Sequence, residues 1–202
     1  MTGLFLILVI LFSVVIHEVS HGYMANLLGD PTAKMQGRLT LNPLKHLDPV
    51  GSIILPAMLY FSGAPMIGWA KPVPFNPYNL RAGKWGPALV AIVGPISNIL
   101  VAIVFSFLVR FNISFSFAPI VFTQLCLLIV QLNMVLAIFN LIPIPPLDGS
   151  KVLFSILPYK LHHIEVWLER YGLFLIIAFL FWGFKFIMPI QQVIVSFLTG
   201  IY

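Results

Sequence analysis

The amino-acid sequence predicts an all-α membrane protein, a polytopic helical bundle with a re-entrant or extended β-like segment at the cytoplasmic interface. Hydrophobic residues make up 60% of the 202 residues, and the mean hydropathy is +1.02. Charged residues make up only 8%, against about 25% in a soluble domain. A soluble chain of this size could not bury so much apolar surface, so we expect a single integral-membrane domain over residues 1–202.

Four apolar segments are long enough to cross a bilayer, which takes about 20 helical residues. They comprise residues 3–28, 87–109, 118–142 and 171–190, the last with an apolar continuation to Tyr202. A cleavable signal peptide fits the first segment poorly, because no basic residue precedes it and no small-residue cleavage site follows Ile16. The 16 prolines and 14 glycines indicate a bundle in which some helices are interrupted.

The basic residues of the loops predict the topology. Three loops each carry three Lys or Arg residues, namely 29–49, 64–86 and 143–170. If the short segment 50–63 is re-entrant, these loops share one side of the membrane, which the excess of basic residues identifies as cytoplasmic; if it spans, they are split. We therefore expect a re-entrant 50–63 and an external N-terminus. The formal net charge of +5 then reflects topology and not nucleic-acid binding.

Two loop segments are expected to be extended. In residues 34–41 apolar side chains alternate with polar ones, which is typical of a strand. Residues 68–77 contain three prolines and cannot form the interior of a helix. Because backbone at membrane depth must be buried, paired or wet, each segment is either a structured interfacial loop or an edge to which an extended peptide could bind.

The motif His17-Glu18-x-x-His21 lies at the end of the first apolar segment. Four residues advance a helix by about 400°, so both imidazoles lie on one face and can reach one metal ion. Glu18 is offset to the side, where a carboxylate can accept a proton from water beside the metal, and Ser20 adds a hydroxyl to the cluster. The alternative is a structural polar cluster or a proton-transfer path.

A catalytic zinc site generally has three protein ligands and one open position. Asp148 lies in NLIPIPPLDGSKVL, where three prolines exclude a helix. A carboxylate in such a rigid segment is either a metal ligand, which we favour, or a cap on a helix that begins near Ser150. The remaining histidines, His46, His162 and His163, are predicted to be surface residues, the last two on an amphipathic interfacial helix.

HEVSH followed by NLIPIPPLDG at residues 140–149 resembles the two motifs of the site-2 protease family of intramembrane zinc metalloproteases. GPISN at 94–98 is similar to the family's third element, and GWAKPVPFNP is similar to its extended segment at the membrane interface. The resemblance covers nearly the whole chain. Some members carry a span before the first motif, a PDZ domain or a C-terminal nucleotide-sensing domain, so we expect this chain to be a minimal form.

The resemblance implies a role for each polar residue. His17, His21 and Asp148 would bind one zinc ion per chain, and Glu18 would activate water. Asn140 and Asn98 would line the substrate path, whereas hydrogen bonds between helices are the alternative for both asparagines.

The resulting hypothesis is an intramembrane zinc endopeptidase that cuts single-span membrane proteins near the cytoplasmic side of a prokaryotic cell membrane. Its partners would be these substrates and membrane lipid, without nucleic acid; the sequence does not indicate an oligomeric state. The first alternative is a metal or proton transporter, although residues 87–109 and 118–142 hold no acidic or basic residue. The second is a catalytically inactive scaffold, although Glu18 is intact.

Overall fold

The computed structural model describes residues 2–54, 58, 61–62 and 71–201, and there the chain forms a helical bundle. Its longer helices are α1 (Thr2–Leu27), α2 (Gly86–Phe115), α3 (Ile120–Asn140), α4 (Asp148–Ile156), α5 (His162–Trp182) and α6 (Phe184–Thr199). Helix α2 is central and contacts α1, α3, α4 and α6. The described residues contain no β-strand, so the all-α class is confirmed and the β-like segment is not seen.

Three of the described helices are apolar and long enough to cross a membrane: Gly3–Leu27, Gly83–Phe115 and Ile120–Asn140. They correspond to the spans predicted at 3–28, 87–109 and 118–142. Large apolar side chains on their outer faces are exposed, for example Leu4 at 68% and Phe107 at 67%. This exposure fits helices that face lipid, since hydrocarbon tails replace water around those side chains.

The fourth predicted span, 171–190, is arranged differently from a single straight helix. The chain bends by 67° between Tyr159–Trp182 and Lys185–Thr199, so 171–190 is divided between α5 and α6. The bend lies at Gly183, where a Cβ atom would come within 2.6 Å of the Phe179 ring. Glycine therefore permits a close approach at the bend that a larger residue would obstruct.

Two apolar clusters hold the bundle together. Ala102 of α2, Val130 and Met134 of α3 and Val195 of α6 form the first cluster, which joins three helices. The second cluster joins α1 to α2 through Ala25, Val90 and the loop residue Leu80. Small side chains such as Ala25 and Ala102, both fully buried, allow the helix backbones to approach closely, which is how helices associate in lipid.

The basic loops meet at one end of the bundle. The N–H of Lys71 donates to the carbonyl of His46 at 2.9 Å, and that of Arg81 donates to Leu28 at 2.8 Å. The ammonium of Lys84 donates to the carbonyl of Leu157 at 2.8 Å. His46 and Lys71, which flank the segment 47–70, therefore lie side by side at this end of the bundle. The expected re-entrant segment 50–63 begins in a short helical stretch, Pro49–Ile54, and its residues 55–57, 59–60 and 63 lie outside the described residues.

Asp30 anchors this end of the bundle just beyond α1. Its carboxylate is fully buried and accepts from the Asn76 N–H at 2.7 Å and the Asn79 side chain at 2.9 Å. Burial alone would raise the pKa of this carboxyl, but hydrogen bonds from Thr32 and Asn79 hold the pKa below its ordinary value. Asp30 thereby ties residues 76–79 to the end of α1.

The prediction of a strand at residues 34–41 is wrong. Thr32–Met35 forms one helical turn, and Gly37 follows in the left-handed region with φ of 62°. Met35 is 81% exposed and Arg38 only 7% exposed, which is the reverse of the burial expected for the two faces of a strand. In the segment expected to be extended, residues 71–76 are free of helix, and 68–70 lie outside the described residues.

Candidate metal centre

The three predicted metal ligands lie together in the structure. His17 and His21 stand one turn apart on α1, and Asp148 is the first residue of α4. Oδ2 of Asp148 is 3.1 Å from Nε2 of His17 and 3.2 Å from Nε2 of His21. The two Nε2 atoms are 3.0 Å apart. All three residues are buried, with exposed fractions of 6–8%.

This triangle has the dimensions that a zinc ion requires. In a tetrahedral site with ligand bonds of about 2.0–2.1 Å, the ligand atoms lie about 3.3 Å apart. The observed separations of 3.0–3.2 Å match one face of such a tetrahedron. Two imidazole nitrogens and one carboxylate oxygen are ligand types that suit zinc, and the fourth position is left for water or a substrate oxygen.

The other nitrogen of each imidazole has a partner that orients the ring. Nδ1 of His21 is 2.7 Å from the carbonyl oxygen of Val90, which can only accept, so Nδ1 carries the proton. Nδ1 of His17 is 3.0 Å from Oδ1 of Asn98. Both partners belong to α2, and with Nδ1–H donating to them each Nε2 presents its lone pair toward a metal ion.

Gly94 of α2 provides the space in which the two imidazoles lie. A Cβ atom on Gly94 would stand 2.5 Å from Nε2 of His21 and 2.6 Å from Cε1 of His17. Such distances are far inside van der Waals contact, so only glycine fits here. Gly94 was not predicted as a site residue, although it is the first residue of GPISN, the segment that is similar to the family's third element.

Glu18 lies beside the histidines and is held by a distant loop. Its Oε2 accepts from the backbone N–H of Val73 at 2.8 Å. Val73 is buried, and its Cγ1 would lie 2.8 Å from a Cβ atom on Gly22, one helical turn after Glu18. The Pro-rich segment therefore rests on the same face of α1 that presents Glu18. No local sequence pattern could have revealed this contact.

A cavity of about 1040 Å³ is lined by Ser150 and Lys151, which follow Asp148 on α4, but not by the triad residues or Glu18 themselves. Its walls come from residues 72–77, from the turn at Pro145–Pro146, from α4 and from the first half of α5. Lys151 lies on its wall, with Nζ 3.8 Å from Oδ1 of Asp148 and 5.3 Å from the centre of the Phe75 ring. Lys151 was not predicted either, and it places a positive charge beside Asp148.

The predicted asparagines have different surroundings. Asn98 is 1% exposed and lies behind His17, so the geometry gives it a ring-orienting task; its contact with a substrate stays a prediction. Asn140 is half-buried at the end of α3, and its Nδ2 donates to the carbonyl of Leu136 at 3.0 Å. A substrate role for Asn140 likewise stays a prediction.

Four other polar residues do not join the metal centre. The hydroxyl of Ser20 donates to the carbonyl of Ile16 at 2.7 Å, so it is occupied within α1. His46, expected at the surface, is 1% exposed and its Nε2 lies 2.8 Å from the carbonyl oxygen of Thr40. His162 and His163 are exposed, as predicted.

The family comparison agrees with these features. The model of peptidase family M50 matches residues 5–182 of the chain. The Bacillus subtilis protein YwhC, a candidate zinc metalloprotease by its name, is 36% identical over 182 residues, which cover 88% of this chain and 80% of YwhC. No solved structure shows a significant match.

Two further relatives are longer than this chain. Rip2 of Mycolicibacterium smegmatis, also named as a candidate zinc metalloprotease, is 30% identical over 73% of this chain and 56% of its own length. Zinc metalloprotease MJ0392 of Methanocaldococcus jannaschii is 29% identical over 79% of this chain and 36% of its own length. The chain thus spans only part of these two relatives.

Proposed function

Because the chain belongs to peptidase family M50, we propose that it is an intramembrane zinc endopeptidase that hydrolyses peptide bonds within or near the spans of membrane proteins. The relatives named as zinc metalloproteases support a metalloprotease with zinc as its cofactor. The apolar helices support an integral membrane protein. The intramembrane mode, the substrates and the side of cleavage belong to the proposal.

The observation that carries the proposal is the position of two of the three ligands, His17 and His21, within the apolar helix α1. His21 and His17 lie six and ten residues before Leu27, the end of α1, which corresponds to about 9–15 Å along the helix axis. Two histidines and a carboxylate at that depth are costly unless they serve a function. A metal site there, with Glu18 beside it, is suited to hydrolysis below the membrane surface.

The residues of this chain divide the chemistry between them. Nε2 of His17, Nε2 of His21 and Oδ2 of Asp148 would hold the ion. Zinc, when bound, supplies a Lewis acid that polarises a carbonyl and lowers the pKa of water. Oε2 of Glu18 already accepts from Val73, so we assign Oε1 to take the proton from the attacking water and to return it to the leaving amine.

We infer that the substrates are single-span membrane proteins that reach the triad from the surrounding lipid. Lys151 lines the cavity and its Nζ lies 3.8 Å from Oδ1 of Asp148, which supports the proposal that water and an unwound stretch of peptide reach the triad from this cavity. The loops with most of the basic residues meet at this end of the bundle, and basic loops are generally cytoplasmic. Cleavage would therefore occur near the cytoplasmic face of a prokaryotic cell membrane. Nucleic acid is not among the proposed partners.

The experiment is reconstitution of the purified chain in liposomes with a panel of single-span reporter proteins that carry a cytoplasmic tag. Released fragments are measured by mass spectrometry for wild type and for Glu18→Gln. Wild type is expected to release the tag from a bond near the cytoplasmic face. Glu18→Gln is expected to keep its zinc and to lose at least about 100-fold in rate, because the general base is removed.

Lys34→Gln is the control, since Lys34 is an exposed charged residue of the helical turn Thr32–Met35 that does not line the cavity, and it should leave the rate unchanged. Cleavage that survives in Glu18→Gln, or that persists after zinc is removed with a chelator, would contradict the proposal. Failure of wild type to cut any member of the panel would contradict the assigned substrate class.

A further inference from the structure

Arg38 is a buried cation that joins two loops. It is 7% exposed. Its Nη1 donates to the carbonyl of Lys45, and its Nη2 donates to the carbonyls of Lys71 at 2.8 Å and Pro72 at 3.3 Å. A guanidinium is planar and carries its donors in a fixed fork, so it can bridge carbonyls of separate segments. Arg38 therefore fixes residues 71–72 against the loop that ends at His46.

The residue that follows this anchored pair contacts the proposed general base. Val73 donates its N–H to Oε2 of Glu18 at 2.8 Å, and its side chain packs over Gly22 on α1. Pro72 and Pro74 on either side restrict the backbone and have no N–H of their own. The position of the Val73 N–H is thus fixed in two ways. Arg38 binds the carbonyls of the two preceding residues, and Pro72 and Pro74 restrict the backbone before and after Val73.

We propose that Arg38 is a positioning residue for Glu18, which it orients through the Val73 N–H although it touches neither the triad nor Glu18. This inference rests on the proposed function, because Glu18 needs a fixed orientation only if it transfers a proton. The bond from Val73 occupies Oε2 and turns Oε1 toward the water to be activated. Loss of Arg38 would free residues 71–73 and let the carboxylate rotate.

Hydrogen exchange at Val73 tests this chain of contacts without any substrate. In residues 71–76 only Lys71, Val73, Phe75 and Asn76 carry an amide hydrogen, so exchange there can be assigned by mass spectrometry. With the full chain in lipid nanodiscs, Arg38→Met and Glu18→Ala are each expected to speed Val73 exchange at least about 10-fold. Arg81→Met is the matched control, since Arg81 is exposed, and it should leave Val73 unchanged.

Turnover provides the second readout, with fluorescein-labelled casein as an unfolded generic substrate. Arg38→Met is expected to lower kcat by about 10- to 100-fold, because small misplacements of a catalytic group have effects of this size. KM and zinc content should stay at the wild-type values, whereas a general structural defect would change all three. Arg38→Lys keeps the charge but cannot bridge the same carbonyls, so its kcat should also fall.

Unchanged Val73 exchange in Arg38→Met would overturn the positioning role, as would an unchanged kcat. If Arg38→Met does not fold, Arg38→Lys provides the same two measurements with a smaller perturbation. A wild-type chain that cuts neither casein nor the single-span reporters counts against the proposed function, and the exchange experiment still decides whether Arg38 holds Val73 against Glu18.

Discussion

Replacing Gly94 with alanine would place a methyl group against both metal-binding imidazoles. The added carbon would stand 2.5 Å from Nε2 of His21 and 2.6 Å from Cε1 of His17. Ordinary contact is about 3.5–4.0 Å, so the rings would have to move by about 1 Å. Ligand distances in a metal site tolerate only about 0.2 Å. We therefore expect zinc affinity to fall at least about 100-fold, or about 2.7 kcal/mol.

A clash at the imidazoles and a change in the stability of α2 have opposite expected effects in Gly94→Ala, so they can be told apart. Alanine favours a helix over glycine by about 1 kcal/mol, so Gly94→Ala should not weaken α2 by propensity. Zinc affinity is measured by competition with a chelator, and folding by thermal unfolding of the metal-free protein. Gly3→Ala is the matched control, because no atom lies within 4 Å of a Cβ there. Zinc binding by Gly94→Ala with wild-type affinity would refute the predicted clash.

Three further substitutions test separate contacts. Asn98→Ala should lower zinc affinity by about 10- to 100-fold with KM unchanged, because His17 loses the partner of its Nδ1; a raised KM with normal zinc binding would instead indicate a substrate contact. Asn140→Ala should keep zinc while turnover falls by up to about 100-fold, and loss of folded protein would indicate a packing role. Asp30→Asn should lower Tm at pH 7, and the difference from wild type should shrink as the pH falls below the ordinary carboxyl pKa of 3.8. A lowered pKa stabilises the fold above that value and ceases to do so as the group is protonated, so a difference in Tm that is independent of pH would contradict the assigned bonds.

Much of the bundle and of the metal centre follows from local patterns in the sequence. The i, i+4 spacing places His17 and His21 on one helical face, and long apolar runs identify α1, α2 and α3. Asp148 could be predicted as a metal ligand because non-helical backbone at membrane depth is tolerated only when it packs against protein or lines a wet cavity, and a carboxylate held there is therefore expected to have a function. The distribution of basic residues predicts that the three basic loops share one side of the membrane. In the structure these loops contact one another, through Lys71 and His46 and through Lys84 and Leu157, and the side of the membrane stays a prediction.

The rest depends on contacts between distant segments, which leave no periodic signal. Alternation of apolar residues in 34–41 suggested a strand, but the buried side chain is Arg38, because its guanidinium binds carbonyls of two loops. His46 is buried for a similar reason, through a contact with the carbonyl of Thr40. Neither the space at Gly94 nor the bond from Val73 to Glu18 can be read from neighbouring residues.

The zinc content of the purified protein, compared between wild type and Asp148→Ala, is the most direct test that the two distant motifs form one metal site. About one zinc ion per chain in wild type, lost or bound much more weakly in Asp148→Ala, is the predicted result. A well-folded wild type without zinc, or zinc binding that is indifferent to Asp148, would contradict a site built from His17, His21 and Asp148.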